Sequence, residues 1–280
     1  MVAPVITANP SSGRASLEVE LVFRESTITS AYATSPMKLL TPRSRGESVW
    51  AYTSSFGGGL VAGDQTQLEL KVGPDARCFL GTQASTKVYR NPAALPCGHE
   101  TRTTLGSGST LIFAPDPVQA FAEASYRQRQ EFNLAPDASL ALVDWFSSGR
   151  AARGERWAFT HFSSRNQVRI GDQTVFLDSL ALDPADGDLS AQHRTGRFNC
   201  LGTLLLIGPK LREAAQKLLA GVGAAPVLRQ AALVCSASPV ADGAVLRIAG
   251  EHVEAVGREL YKYLAPLNVL LGDDPWARKW

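Results

Sequence analysis

No stretch of this chain is apolar for long enough to cross a bilayer, which takes about 20 consecutive residues as a helix. The best candidate, Leu201 to Ile207, is interrupted by Gly202 and Thr203 and closed by Gly208-Pro209. Met1 to Arg14 carries no basic segment followed by an apolar one, so no secretory signal is expected. Cysteine is scarce. Cys78, Cys97, Cys200 and Cys235 are scattered over 280 residues with no Cys-x-x-Cys pair. That excludes a disulfide scaffold and points to free thiols in a reducing cytoplasm. There are four histidines, and His161, His193 and His252 have no ligand at metal spacing. Cys97-Gly-His99 lies in a Pro/Gly-rich stretch and reads as a loop, so a structural zinc site is not expected. Charge of either sign is not in excess: Lys and Arg number 28 and Asp and Glu 26. Such balance argues against a protein held by phosphate neutralisation, so no nucleic-acid partner is expected. The hydrolase signatures Gly-x-Ser-x-Gly and His-Glu-x-x-His are missing.

What is present is a chain rich enough in apolar residues, 45%, to build a sizeable core. Its 24 glycines and 16 prolines imply many turns. The first two-thirds reads as strands. Leu17 to Phe23 begins as Leu-Glu-Val-Glu-Leu, and Leu68-Glu-Leu-Lys-Val72 repeats the period of two. Further strands are predicted at Val49 to Ser54, Arg77 to Leu80, Thr110 to Phe113, Leu140 to Val143, Arg156 to Phe162, Gln167 to Ile170 and Thr174 to Asp178. An internal echo joins two of these regions. Val72-Gly-Pro-Asp-Ala-Arg-Cys-Phe-Leu80 resembles Leu134-Ala-Pro-Asp-Ala-Ser-Leu-Ala-Leu142, with the prolines 62 residues apart. Leu105-Gly-Ser-Gly-Ser-Thr-Leu-Ile-Phe113 is a looser third version. Each block is a strand end, a tight turn and a new strand, a pattern that favours short strands over βαβ units.

Helical periodicity comes late. Lys210 to Ala220 places Leu211, Ala214, Ala215, Leu218 and Leu219 on one stripe, with Gly221 as its expected stop. Glu251 to Leu264 places Val253, Val256, Leu260 and Leu264 on one face and is closed by Pro266. Arg229 to Ala237 and Ala244 to Ile248 read as strands between them. The fold class expected is mainly β with a helical layer, as a single domain over 1–280.

Four segments stand out chemically. Gly57-Gly-Gly-Leu-Val-Ala-Gly-Asp64 contains Gly-x-Gly-x-x-Ala, but a strand pattern follows it where a dinucleotide fold needs a helix. It reads first as backbone that needs positive φ or close approach. Gly81-Thr-Gln-Ala-Ser-Thr-Lys87 misses a Walker A loop: Thr86 and Val88 replace its second glycine and its magnesium-binding hydroxyl. Thr82, Gln83, Ser85 and Lys87 remain as a polar cluster. Asp144-Trp-Phe-Ser-Ser-Gly-Arg150, running on to Glu155 and Trp157, interleaves aromatics and arginines as binding surfaces do. Among carboxylates, Asp64, Asp116, Asp144, Glu155 and Asp178 lie in or beside turn-rich segments. Taken alone, these residues support an interaction protein. They leave open a carbohydrate-acting enzyme on a β-solenoid using paired carboxylates such as Asp144 and Glu155, and a redox enzyme using the glycine loop.

The order of the blocks carries further. Phe56 to Asp64, Thr82 to Arg90, Pro115-Asp-Pro-Val-Gln-Ala-Phe121, and Asp144 to Arg150 with Gly154-Glu155 together resemble the UreD (UreH) family of urease accessory proteins. The resemblance is strong over Leu17 to Asp178 and weaker at Asp273 to Trp280, and Ala62 replaces an expected glycine. It implies a non-catalytic protein of mainly β, β-helical, sandwich-like fold with two helices in the C-terminal region. The implied role is a cytoplasmic scaffold that binds apo-urease and recruits UreF and, through it, the GTPase UreG. Nickel would then enter the bis-nickel site of urease through a passage in the accessory protein. By the same resemblance Asp64, Asp144, Glu155 and Asp178 are candidate nickel contacts. Gly57, Gly58, Gly59, Gly63, Thr82, Gln83, Ser85, Lys87 and Arg150 are candidate motif residues. No tightly bound cofactor is implied, only transient Ni2+, and no membrane partner.

Overall fold

Strands that alternate in period two and meet at tight turns can either zigzag or wind. This chain winds. The computed structural model describes residues 12–43, 46–91, 95–226 and 228–277. The amino-terminal segment and Arg278 to Trp280 of the family-like tail lie outside the described residues.

The chain opens with a hairpin, β1 (Ser12–Val22) and β2 (Glu25–Ala33), followed by β3 (Met37–Leu40). Three coils follow, each of three strands. The first is β4 (Val49–Ser55), β5 (Gly59–Leu60) and β6 (Gln65–Val72). The second is β7 (Arg77–Thr82), β8 (Thr86–Val88) and β9 (Cys97–Leu105). The third is β10 (Thr110–Ala114), β11 (Val118–Ala120) and β12 (Ser125–Leu134). Then β13 (Ser139–Ser147) and β14 (His161–Ile170) form a last, incomplete coil. Equivalent strands stack in parallel: β6 on β9 on β12 on β14, and β4 on β7 on β10 on β13. The Pro74 and Pro136 turns are corners of this winding two coils apart, and the Gly106–Ser109 turn is the same corner of the coil between them. The echo is therefore the period of a solenoid read twice over.

The rest of the chain closes the stack with antiparallel strands: β15 (Gln173–Leu182) on β14, and β16 (Cys200–Ile207), β18 (Gly243–Gly250) and β17 (Leu233–Val240) beyond β13. The result is a seven-stranded sheet, β15-β14-β12-β9-β6-β1-β2, facing an eleven-stranded one. The helices α1 (Arg212–Ala224) and α2 (Val253–Leu264), with the short α3 (Asn268–Leu271), cover the outer face of the larger sheet. That sheet is buried on both sides, which is why Leu201 to Ile207 is apolar without alternation.

Several expectations are corrected in detail. The first helix runs past Gly221 to Ala224. Glu251 lies outside α2, paired instead with Arg197 at 2.7 Å. The strand expected at Arg156 begins only at His161. Trp157 has φ of +54°, and the Arg156 guanidinium is held by Asn199 and by the Gly196 and Phe198 carbonyls, so this segment cannot extend. The stripe on α2 points inward as expected. Leu260 is 2% exposed among Val256, Leu264 and the outer face of the large sheet. Leu260→Ala is expected to destabilise the chain by about 2–5 kcal/mol in denaturant unfolding. A change near zero would show that α2 is not held by this face.

Candidate functional site

Sheet register decides what meets what between the two sheets. Along the inner face of the seven-stranded sheet, one row reads Thr66, His99, Gln128, Ser164 across β6, β9, β12 and β14. The next reads Leu68, Thr101, Gln130, Asn166 and, on β15, Asp178. The row after that is apolar but for Thr103: Leu17, Leu70, Phe132, Val168 and Phe176 with it. On the other side of the two polar rows stand Cys97, Tyr126 and Phe162, part of an aromatic core with Phe146, Trp157 and Phe159. A polar layer thus lies between two apolar cores inside the protein.

Asp144 enters this layer from β13 of the facing sheet. Its carboxylate accepts hydrogen bonds from Gln128 Nε2 at 2.9 Å, Ser164 Oγ at 2.6 Å and Asn166 Nδ2 at 2.6 Å. Gln130 in turn donates to Asn166 Oδ1 at 2.8 Å. Burial raises the Asp144 pKa above the ordinary carboxylate value. The three donors pull it back, and the charge of Asp178 adds to the rise. His99 is clamped by Thr66 Oγ1 at 2.8 Å from Nδ1 and Thr101 Oγ1 at 3.1 Å from Nε2. The Thr66 hydroxyl donates to the Gly98 carbonyl. It therefore accepts from Nδ1–H, and the Nε2 lone pair accepts from Thr101.

Burial lowers the His99 pKa to about 4, so the ring is neutral at pH 7. Its folded pKa lies below the unfolded value of about 6.5, so the unfolded chain binds this proton first. The stability it contributes is full above 6.5 and falls towards pH 4, at about 1.4 kcal/mol per pH unit. His99→Gln is expected to flatten that part of the stability curve between pH 7 and pH 5. Parallel curves for the variant and the parent would show that His99 is not held neutral.

A cavity of about 110 Å³ lies against this layer and is lined by Thr66, His99, Gln128, Gln130 and Asp144. Ser54, Ser55, Gly58, Thr82 and Ser85 line it as well. The last three belong to the first two blocks singled out in the sequence, and the structure shows why those blocks recur. Gly59 on β5 is in register with Lys87 on β8, Lys87 with Gln119 on β11, and Gln119 with Ser147 on β13. Each block is the same corner of a successive coil, and together they form the narrow third face of the solenoid. Gly57 and Gly58 adopt φ of +75° and +73°. Gly59 is extended, and a Cβ there would lie 2.5 Å from the Lys87 carbonyl oxygen. The glycines are thus needed for a turn and for close coil stacking.

The other nominated residues lie off the cavity. Asp64 is buried at the corner after β5 and accepts the Val61 N–H at 2.9 Å; Gly63 before it has φ of +84°. Glu155 is held by Arg150, whose Nε lies 2.8 Å from Glu155 Oε2 and whose guanidinium packs 4.3 Å from the Phe121 ring centroid. That pairing keeps the Glu155 pKa below its ordinary value. Gln83 pairs with Ser54 at 2.7 Å, whereas Thr82 stays on the cavity wall and donates at 3.0 Å to Asp116, which lines the cavity too. Asp178 pairs with Arg247 at 2.8 Å. No group of three or more His, Cys, Asp or Glu side chains is placed to hold a metal among the described residues. All four cysteines are free, and burial pushes the Cys78 and Cys200 thiols up to about 12.

A family model described as UreD urease accessory protein matches residues 11–280. The chain belongs to the UreD family of urease accessory proteins. It is 48% identical over 266 residues to "Urease accessory protein UreD" of Sorangium cellulosum, covering 93% of this chain and 83% of that protein. It is 40% identical to a protein of the same name from Anaeromyxobacter, over 98% and 91% of the two chains. A plant relative, "Urease accessory protein D" of Oryza sativa subsp. japonica, is 30% identical over 96% of both. UreD proteins are accessory proteins rather than enzymes, and this chain is one of them. No helix among the described residues is long and apolar enough to cross a membrane.

Sequence reasoning did not single out Gln128, Gln130, Ser164 and Asn166. A signal for them exists. In Tyr126-Arg-Gln-Arg-Gln-Glu-Phe132 the charged residues fall on every second position, which marks the intervening glutamines as inward.

Proposed function

We propose that this UreD-family chain binds apo-urease, recruits UreF and through it the GTPase UreG, and conducts Ni2+ along its internal polar layer towards the urease active site. The observation that carries the passage is the buried Asp144 carboxylate. It sits among amides, hydroxyls and one neutral imidazole, with Asp178 at the edge of the layer, and it lines the same cavity as Asp116 and Ser85. Burying a carboxylate between two apolar cores costs stability that a hydrogen-bonded amide would not, so a role for its charge accounts for its position. Carboxylate and carbonyl oxygens spread one per strand bind Ni2+ weakly enough to release it, and a neutral imidazole is a suitable borderline donor. Asp144 is the central contact in this reading and Asp178 lies at its edge. Asp64 and Glu155 act from the corners, as supports of the third face.

The partner half of the proposal is tested by co-expressing the chain with urease subunits and UreF and recovering them on one tag. Loss of urease from the pull-down would remove the scaffold role. The incomplete Walker pattern gives a companion expectation: the purified chain neither binds nor hydrolyses GTP until the partner GTPase is added. Saturable GTP binding by the isolated chain at micromolar concentration, about −8 kcal/mol, would contradict it.

A further inference from the structure

The polar layer reaches solvent at the edge of the seven-stranded sheet, where β15 is the last strand. There Asp178 stands in register with Asn166, the residue that donates to Asp144. On the facing sheet Asp144 is in register with Thr203, and Thr203 with Arg247. The two inner rows that meet at Asp144 therefore meet again two strands further on in the larger sheet and one strand on in the smaller, where Arg247 Nη2 lies 2.8 Å from Asp178 Oδ1. Among the described residues this is the one ion pair joining a strand of one sheet to a strand of the other. The Asp178 side chain is 25% exposed and that of Arg247 55%. The pair bridges the two sheets at this edge, with the carboxylate the more buried partner and the guanidinium towards water.

We propose that Arg247 is a tethered cation that occupies Asp178 at the mouth of the polar layer and yields it to a divalent cation in transit, so that the pair gates the passage; this rests on the passage reading above. An exposed ion pair is worth about 0–1 kcal/mol, so it can be broken without unfolding the edge. Arginine stays charged at every physiological pH, so the competitor is permanent and its strength fixed. A doubly charged ion gains roughly twice the Coulomb energy of a guanidinium at equal distance and displaces it. Once the ion leaves, Arg247 closes on Asp178 again. Asp178 stands beside Asn166, whose amide donates to Asp144, so the two carboxylates share a neighbour. Occupation of one carboxylate by a cation thus alters the other, as a two-step transfer requires.

The test is nickel-dependent activation of apo-urease in the full complex with the accessory partners, read both as urease activity and as nickel bound per urease by atomic absorption. Arg247→Gln removes the competing charge and is expected to lower the nickel concentration for half-maximal activation by about threefold or more, with the maximum unchanged. Arg247→Lys keeps the charge and is expected to keep the parent's requirement. If Arg247→Gln does not assemble, Arg247→Met, which keeps an apolar stem over the sheet, is read in the same way. An unchanged or higher nickel requirement in the neutral variant overturns the gate, and so does an equal shift in Arg247→Lys. Asp144→Asn run alongside separates the two readings. Full activation in that variant overturns the passage and the gate with it. Impaired Asp144→Asn beside an unaltered Arg247→Gln overturns the gate alone.

Discussion

Asp144→Asn is expected to yield a folded chain that still enters the urease complex and delivers little nickel. The carboxylate is enclosed by Gln128, Ser164 and Asn166. An asparagine keeps its size, and one amide oxygen can accept from both Ser164 and Asn166. Its NH2 would face Gln128 Nε2, and a flip of the Gln128 amide, which already touches Tyr126 Oη at 3.1 Å, restores the pairing. Stability at neutral pH should therefore be unchanged or higher. The sign follows from the raised pKa. The folded chain holds the Asp144 proton more tightly than the unfolded chain. The group's favourable contribution is full below the ordinary value of 3.8 and is lost as pH rises through the folded value. The cost of the buried charge sets in as pH rises through the folded value, and the amide removes it.

What the amide also removes is the attraction for a cation. At 4 Å and an effective dielectric of 20, that attraction is about 4 kcal/mol per pair of unit charges. A fraction of it corresponds to tenfold, so urease activation is expected to fall by about tenfold or more. Asp144→Leu makes the complementary case. It strands three buried donors at about 1–3 kcal/mol each and should lower the unfolding free energy by about 3 kcal/mol or more. If Asp144→Asn loses its fold together with its activity, the residue is structural. If it retains full activity, no passage runs through this layer.

Phe132→Ala is expected to cost about 3–5 kcal/mol, the largest loss from a single truncation beside the layer. Phe132 is fully buried, in the inner row next to Gln130, and meets Phe113 of the opposite sheet edge-on at 5.4 Å between ring centroids. It is part of the wall that separates the polar rows from the main apolar core around Leu17, Leu70 and Val168. Truncation removes its dispersion contacts and opens a hollow beside the cavity under Asp144. Water drawn into that space would solvate the carboxylate and bring its pKa back towards the ordinary range. Denaturant unfolding measures the first effect. A loss below about 1 kcal/mol would mean that the wall is not packed as the structure has it.

Local chemistry made part of this architecture readable. The turns at Pro74 and Pro136 are set by residues in immediate sequence, and so their echo is visible. The two helices follow from stripes that recur every three to four residues, though the sequence misplaced the ends that tertiary contacts set. Glu251 is drawn out of the second helix by Arg197, and Gly221 is carried through the first. Strands β9 and β12 escaped notice because their inward positions hold His99, Thr101, Gln128 and Gln130, and an alternation of polar with charged residues does not look amphipathic.

By itself the sequence determined the turn chemistry, the balance of strand and helix, and the four family blocks. Only the tertiary structure decided that those blocks are successive corners of one solenoid, and that Asp144 but not Asp64 or Glu155 faces the interior cavity. It alone brought Asp178 and Arg247 together from 69 residues apart. The reason is that strand pairing is set by partners distant along the chain, and a shift of one residue turns every side chain to the other face. Which carboxylate lies inside is therefore a property of the register.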